Sequence, residues 1–272
     1  MRISGYQPQY FPRLHYFARI LDSDIFEISD HFQFVKAHKY PNGERGPSYQ
    51  ADTVVKLGNG PLVLPISVRH DGSNRTQINE TGIAYESRWH EKHKKNFTAA
   101  FDRSLRALEL LPGLDKLLGR RYKTLAELNI VTIAFALAFV LGEERNATEI
   151  TVADLNRLLS RADHPFRLRK IAVISETGFP ARRDDEDATD WLINMCHYFK
   201  VTEYYHGATG AQAYMDFDRF HKADIKTIEQ KWNCMQYSQR FLKIGFIRNL
   251  SILDLIANEP KEKIWSILQG EK

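Results

Sequence analysis

Cysteine is scarce in this chain: Cys196 and Cys234 are the only two among 272 residues, and both sit amid aromatic and apolar neighbours. That excludes a disulfide scaffold and points to a reduced compartment, with a single Cys196 to Cys234 pair as the alternative. Long apolar runs are also missing. The longest, residues 130–141, spans about 12 residues where a membrane helix needs roughly 20. The opening Met1-Arg-Ile-Ser-Gly has no apolar signal segment, so the expectation is a cytoplasmic protein with no membrane span. Neither charge sign dominates. The 38 basic and 34 acidic residues leave a net +4, too small a surplus to indicate nucleic acid. There is no P-loop, no nucleophile elbow, no HExxH pair and no GxGxxG turn after the first apolar segment, and the chemistries tied to those motifs lose their support. Internal repeats and low-complexity stretches are absent too, which excludes a solenoid.

What is present is the composition of an ordinary globule, 43% hydrophobic, 12% aromatic and 26% charged. A chain of this length buries roughly 70 to 75% of its extended surface. The expected organisation is one compact domain over 1–272, with a subdivision into an α/β part at 1–115 and a helical and α/β part at 116–272 as the alternative.

Periodicity supplies the elements. Residues 3–6 read as a strand, Pro8 and Pro12 bracket a turn, residues 14–21 form a helix, and 24–29 a second strand, a βαβ-like opening. Turn signals at Pro41-Asn42-Gly43 and at 58–61 flank residues 53–57 and 62–68, which predicts a hairpin. Trp89, His93, Phe97, Phe101, Leu105 and Leu108 step by three or four, which predicts one long helix ending before Pro112. Residues 125–141 predict a helix buried on most sides, and Thr151 with Asp154 a capping box opening a helix to 159. Further expectations are a strand at 171–175, an exposed loop at 177–187 whose acidic run 184–187 is solvated surface, and a helix at 188–199. A strand at 201–205 then runs into His206, with a helix at 208–214, a return strand near 225–228, and a helix at 250–257 carrying Ser251 and Asp254. The fold class is α/β, a Rossmann-like parallel or mixed sheet with a β-hairpin insertion and a helix-rich remainder.

Several candidate reactive residues have plainer readings. His90 and His93 lie three apart, but no cysteine or carboxylate cluster joins them, so no metal is expected and His93 reads as a packed, hydrogen-bonded residue. The basic patches at 90–95 and 120–123 read as solvated helix faces. Cys196 falls on an apolar face and reads as core, whereas Cys234, in a loop-like aromatic stretch, is the better candidate nucleophile. The stronger signal is polar residues gathered after strands. Gln7 and Gln9 follow the first strand with Tyr6 and Tyr10 beside them. Asp30, His31, Gln33 and Lys36 follow the second, and Tyr204, Tyr205, His206, Gly207 and Thr209 follow or end a later one. If these strands run parallel, all three groups meet at one sheet edge, where open α/β sheets bind ligands.

The same residues resemble a known family. Gly5-Tyr-Gln-Pro-Gln-Tyr-Phe-Pro12, Asp24-Ile-Phe and Asp30-His-Phe-Gln-Phe-Val-Lys36 look like the opening of the WbqC-like proteins. Trp89-His-Glu-Lys-His93, residues 125–130, residues 204–214 and the closing Phe246-Ile-Arg-Asn-Leu-Ser-Ile-Leu-Asp-Leu255 resemble its later blocks. Departures are Arg13 where tryptophan is usual, Arg248 for proline, His206 for serine, Lys231-Trp-Asn-Cys-Met for a Lys-His-Pro segment, and no plain asparagine-arginine pair near position 45. The resemblance implies a tailoring enzyme of bacterial surface-polysaccharide or secondary-metabolite biosynthesis. It would transfer an acyl or aminoacyl group from a thioester to an amine such as an amino sugar, with no cofactor and an acyl carrier protein as a partner.

On that reading His31 or His206 is the general base, since imidazole titrates near neutral pH, with His31 ranked slightly ahead because His206 replaces a serine. Gln7, Gln33 and the Gly207 region hold the carbonyl oxygen, Lys36 meets donor phosphate or carboxylate, and Tyr10, Asp30, Tyr205 and Asn249 contact substrate. Two alternatives stand beside it: nucleotidyl transfer or ATP-dependent carboxylate activation, by analogy with Rossmann-like enzymes, and a noncatalytic sugar- or carrier-binding protein with Tyr6, Tyr10, Tyr204, Tyr205 and Trp232 as a stacking platform.

Overall fold

The computed structural model describes residues 1–39, 45–69, 76–161, 163–183, 185–207 and 214–270. The chain opens as expected with β1 (Arg2–Tyr6), α1 (Leu14–Leu21) and β2 (Ile25–Ile28). Three small antiparallel pairs follow: β3 (Ala37–Lys39) with β4 (Arg45–Pro47), β5 (Asp52–Leu57) with β6 (Gly60–Pro65), and β7 (Val68–Arg69) with β8 (Gly82–Ile83). The β5–β6 hairpin is the predicted one, closed by Gly58 and Asn59 with Gly60 at φ 117°. That conformation suits glycine because no Cβ opposes it.

The single long helix expected after Trp89 is instead two: α2 (Trp89–Phe101) and α3 (Ala107–Gly119). The stepping Leu105 and Leu108 mislead, for they are 67% and 93% exposed and belong to no buried seam. Between the helices the Arg106 N–H donates to the Ala257 carbonyl (2.9 Å) and its guanidinium pairs with Glu109 and Glu144, which pins the turn. Pro112 then lies inside α3 rather than beyond a helix. It withholds one amide donor from Leu108, whose surroundings are open to water.

α4 (Leu125–Leu141) matches its expectation to the residue and is buried nearly all round. Thr124 caps it by accepting from the Glu127 N–H (3.2 Å), and Gly142, at φ 88°, ends it. α5 (Val152–Leu159) carries the full Thr151/Asp154 capping box. β9 (Lys170–Val173), α6 (Ala188–Tyr198), β10 (Glu203–His206), a helix at Phe217–Lys222 and β11 (Lys226–Glu229) complete the α/β part. Helices Ile252–Asn258, capped by Ser251, and Lys261–Gln269 close the chain; the sequence reading did not include the second, nor the helix before β11. The expected turn at Pro41-Asn42-Gly43 and most of the expected helix at 208–214 lie outside the described residues, as do Asp184 and Thr209.

Five strands form one sheet in the order β9-β2-β1-β10-β11, all neighbours parallel. Counted along the chain this is third-second-first-fourth-fifth, the doubly wound Rossmann arrangement. The expected return strand is therefore a parallel one, reached through the helix Phe217–Lys222. One face of the sheet packs on α1, α4 and the two last helices, through Phe17, Phe26, Ile28, Phe135 and Ile264 among others. The other packs on α6 and Phe217–Lys222 through Ile3, Ile25, Trp191, Met195, Cys196 and Phe220. Among the described residues no helix is long and apolar enough to cross a membrane.

Candidate functional site

The order of the strands reverses direction between β1 and β10, and there the sheet parts. The β1–β2 ladder runs from Ile3↔Ile25 to Tyr6↔Ile28, and β10–β11 from Glu203↔Lys226 to His206↔Glu229. Between β1 and β10 the pairing covers only Arg2↔Glu203 and Ile3↔Tyr204. Among the described residues the carboxyl ends of the two central strands are thus unpaired with each other, and this is the position where doubly wound proteins hold ligands in a crevice.

Gln7 stands at the β1 side of this crevice. Its Oε1 accepts from the Tyr49 hydroxyl (2.8 Å) and from Gln50 Nε2 (2.6 Å), and its carbonyl accepts from the Tyr16 hydroxyl (3.1 Å). The amide is thereby held by its oxygen, and its NH2 has no acceptor among the described residues. A donor fixed in this way is preorganised for an oxygen that gains negative charge.

His206 ends β10 and is buried between Tyr204 and Phe217. Its Nδ1 lies 3.3 Å from the Gly207 carbonyl, so that nitrogen carries the proton and Nε2 keeps its lone pair. Burial pushes its pKa below the ordinary histidine value, with Arg19 acting in the same direction and the Gly207 carbonyl and Glu229 opposing. The imidazole is therefore neutral near neutral pH, the form a base requires.

Two residues that the sequence reading passed over complete the site. Arg19 of α1 reaches the end of β10: a Cβ built on Gly207 would lie 2.3 Å from Arg19 Nη2. Its Nε donates to Gln230 Oε1 (2.9 Å) at the end of β11, and its guanidinium lies 4.9 Å from the centre of the Tyr6 ring. Glu27 of β2 is fully buried, with Oε2 accepting from the Ser29 hydroxyl (2.7 Å) and Oε1 without a partner among the described residues. Burial pushes its pKa up to about 8, leaving the carboxyl protonated near neutral pH. The available signal for both was a lone charged residue inside an otherwise buried apolar element.

The remaining expected site residues distribute as follows. His31 lies at the same sheet edge, beyond β2, between Phe32 and Trp191; its Nε2 accepts from the Arg182 N–H (3.5 Å) and its buried Nδ1 has no partner among the described residues. Asp30 is committed to Ser175, accepting from its N–H (3.2 Å) and its hydroxyl (2.6 Å). Gln33 and Lys36 are exposed, and the Gln33 carbonyl accepts from Gln50 Nε2 (3.2 Å).

Tyr10 does not face the crevice. It is sealed in the core with its hydroxyl 3.1 Å from His93 Nδ1, while His93 Nε2 donates to the Pro65 carbonyl (3.1 Å). Tyr205 turns its ring under the Arg2 guanidinium (4.9 Å), at the start of β1 rather than its end. Asn249 sits beside His15, with Oδ1 3.2 Å from His15 Nδ1, and its N–H donates to Cys234 Sγ (3.3 Å). Burial raises the Cys234 pKa, against the Asn249 N–H and Arg248, so this thiol is not activated in the manner of a nucleophile. Cys196 is in the core, where burial pushes its thiol up to about 12. Among the described residues no group of three metal-ligating side chains occurs.

Residues 7–265, nearly the whole chain, match the WbqC-like protein family. No curated protein and no solved structure matches the chain significantly.

Proposed function

We propose that this chain, which belongs to the WbqC-like protein family, transfers an acyl or aminoacyl group from a thioester donor to an amine as a tailoring step in biosynthesis. The observation that carries the reading is the crevice between β1 and β10, with a fixed amide donor on one side, Gln7, and a neutral imidazole on the other, His206. The amine nitrogen attacks the thioester carbonyl carbon, and His206 Nε2 takes the proton that the nitrogen sheds. The carbonyl oxygen gains negative charge and is met by the Gln7 NH2. The attack forms the C–N bond, collapse of the tetrahedral adduct restores the carbonyl and breaks the C–S bond, and the departing sulfur receives its proton from the His206 imidazolium.

His206 takes precedence over His31 because its Nε2 meets no donor among the described residues, whereas His31 Nε2 already faces the Arg182 N–H. The donor thioester is carried by a small thiol or by an acyl carrier protein, and an amino sugar is the kind of acceptor the family reading suggests.

His206→Ala and His31→Ala, assayed separately for thiol release and amide formation with a panel of acyl thioesters and amines, test this. Loss of a positioned base lowers the rate by roughly 100- to 10,000-fold, and that loss is expected in His206→Ala alone. Unchanged turnover in His206→Ala removes the base assignment, and no amide from the wild-type protein across the panel removes the reaction.

A further inference from the structure

We infer that Arg19 binds an anionic group, the carboxylate or phosphate of whatever molecule enters the crevice between β1 and β10. The inference shares its location with the acyl-transfer reading and is independent of that chemistry.

The protein pairs its other shielded arginines with carboxylates. Arg106, equally shielded, pairs with Glu109 and Glu144, and the guanidinium of Arg2 pairs with Asp22 and Glu203. An ionised group withdrawn from water is strongly disfavoured unless a counter-charge meets it, which accounts for both arrangements. Arg19 is 7% exposed and has no carboxylate partner among the described residues. Its Nε edge is tied to the Gln230 amide, and Gln230 is itself fixed by donating Nε2 to the His15 carbonyl (2.8 Å). The Tyr6 ring supports its face. Nη1 and Nη2 are left with no acceptor among the described residues.

Glu229, which acts on His206 alongside Arg19, makes no ion pair with Arg19, and the other surrounding side chains do not neutralise it. His15, held to a pKa of about 4 by burial and by Arg19 itself, and His206 are uncharged near neutral pH, and so are the buried Tyr16 and Tyr204 hydroxyls. Glu27 is protonated there as well. The outcome is a planar cation held rigidly by one edge, with two parallel N–H donors on the other. That is the geometry that receives a carboxylate or phosphate through two hydrogen bonds. Gly207 belongs to the same device, because any side chain there would occupy the position of Nη2. Lys36, exposed and mobile in its stem, offers a point charge rather than a fork.

The test titrates inorganic phosphate, pyrophosphate, acetate and succinate into the full chain at constant ionic strength, against chloride as the reference, by calorimetry and by NMR. Wild-type protein is expected to bind a phosphate or a carboxylate probe in preference to chloride, and the preferred probe identifies which anion is the handle. Arg19→Gln is expected to weaken that binding by roughly 10- to 100-fold, and Arg19→Lys, which keeps charge and loses the fork, to recover only part of it. Should Arg19→Gln fail to fold, Gly207→Ala displaces the fork while the charge remains, and the same weakening is expected. Equal binding by wild type and the folded variants overturns the inference, as does wild-type protein that prefers none of the probes to chloride. Because no turnover is measured, a negative amide-formation assay leaves this result standing.

Discussion

Gly5 and Glu27 are partners across the β1–β2 ladder, and the carboxyl of one fills the space that a side chain on the other would need. A Cβ built on Gly5 lies 2.3 Å from Glu27 Oε2. A glycine in the middle of a buried strand forfeits packing area, and here that place is given to the carboxyl. The pair sits directly beneath the crevice, one residue before Tyr6.

Gly5→Ala should therefore destabilise the fold by about 1 to 3 kcal/mol through overpacking, even though alanine favours a strand no less than glycine does. Shortening the neighbour in the Gly5→Ala, Glu27→Ala double variant should recover part of the loss, so the two substitutions will not add. Urea unfolding of the four proteins measures the coupling; strict additivity would show that the two residues do not compete for space.

Glu27 also makes a prediction about pH. Its folded pKa is raised, to about 8 from an ordinary 4.5, so the folded state holds a proton that the unfolded state releases. The stability contributed is fully present below the unfolded value and is lost as pH rises through the folded one. Glu27→Gln keeps the shape and abolishes the titration. Relative to wild type, the variant should gain stability steadily as pH is raised from about 5 to about 8, and the gap should then level off. Taking the difference between the two proteins cancels the histidines that titrate in the same window. A gap that does not change with pH would mean that Glu27 is ionised in the folded protein.

Tyr10→Phe separates a structural tyrosine from a substrate contact. Removing the hydroxyl leaves His93 Nδ1 unpaired in the core, which should lower stability by about 1 to 3 kcal/mol. KM and kcat in the amide-forming assay should stay at wild-type values, since the ring lies away from the crevice. A selective rise in KM with unchanged stability would return Tyr10 to the site.

The parts of the fold legible in the sequence are those decided by near neighbours. The helix 125–141, the Thr151/Asp154 capping box and the strand-helix-strand opening follow from periodicity and from caps a few residues away, and the structure keeps them. The break between α2 and α3 was not legible because its cause is distant, in Ala257 and Glu144. The common sheet edge of the strands that precede Gln7 and His31 and end at His206 was legible only on the supposition that those strands run parallel, and they do. Arg19 was not, since nothing in its own helix reveals that Gln230, more than two hundred residues onward, takes one edge of its guanidinium and leaves the other open.

The short pairing of β1 with β10 has a further consequence. β10 and β11 are joined to the rest of the sheet by backbone bonds at one end only, so heat or denaturant has a ready line along which to start prising the molecule apart. A compound lodged at the open end would clasp the two halves together. Its affinity would then be visible without any assay of chemistry, as an upward shift of the melting temperature that grows with its concentration.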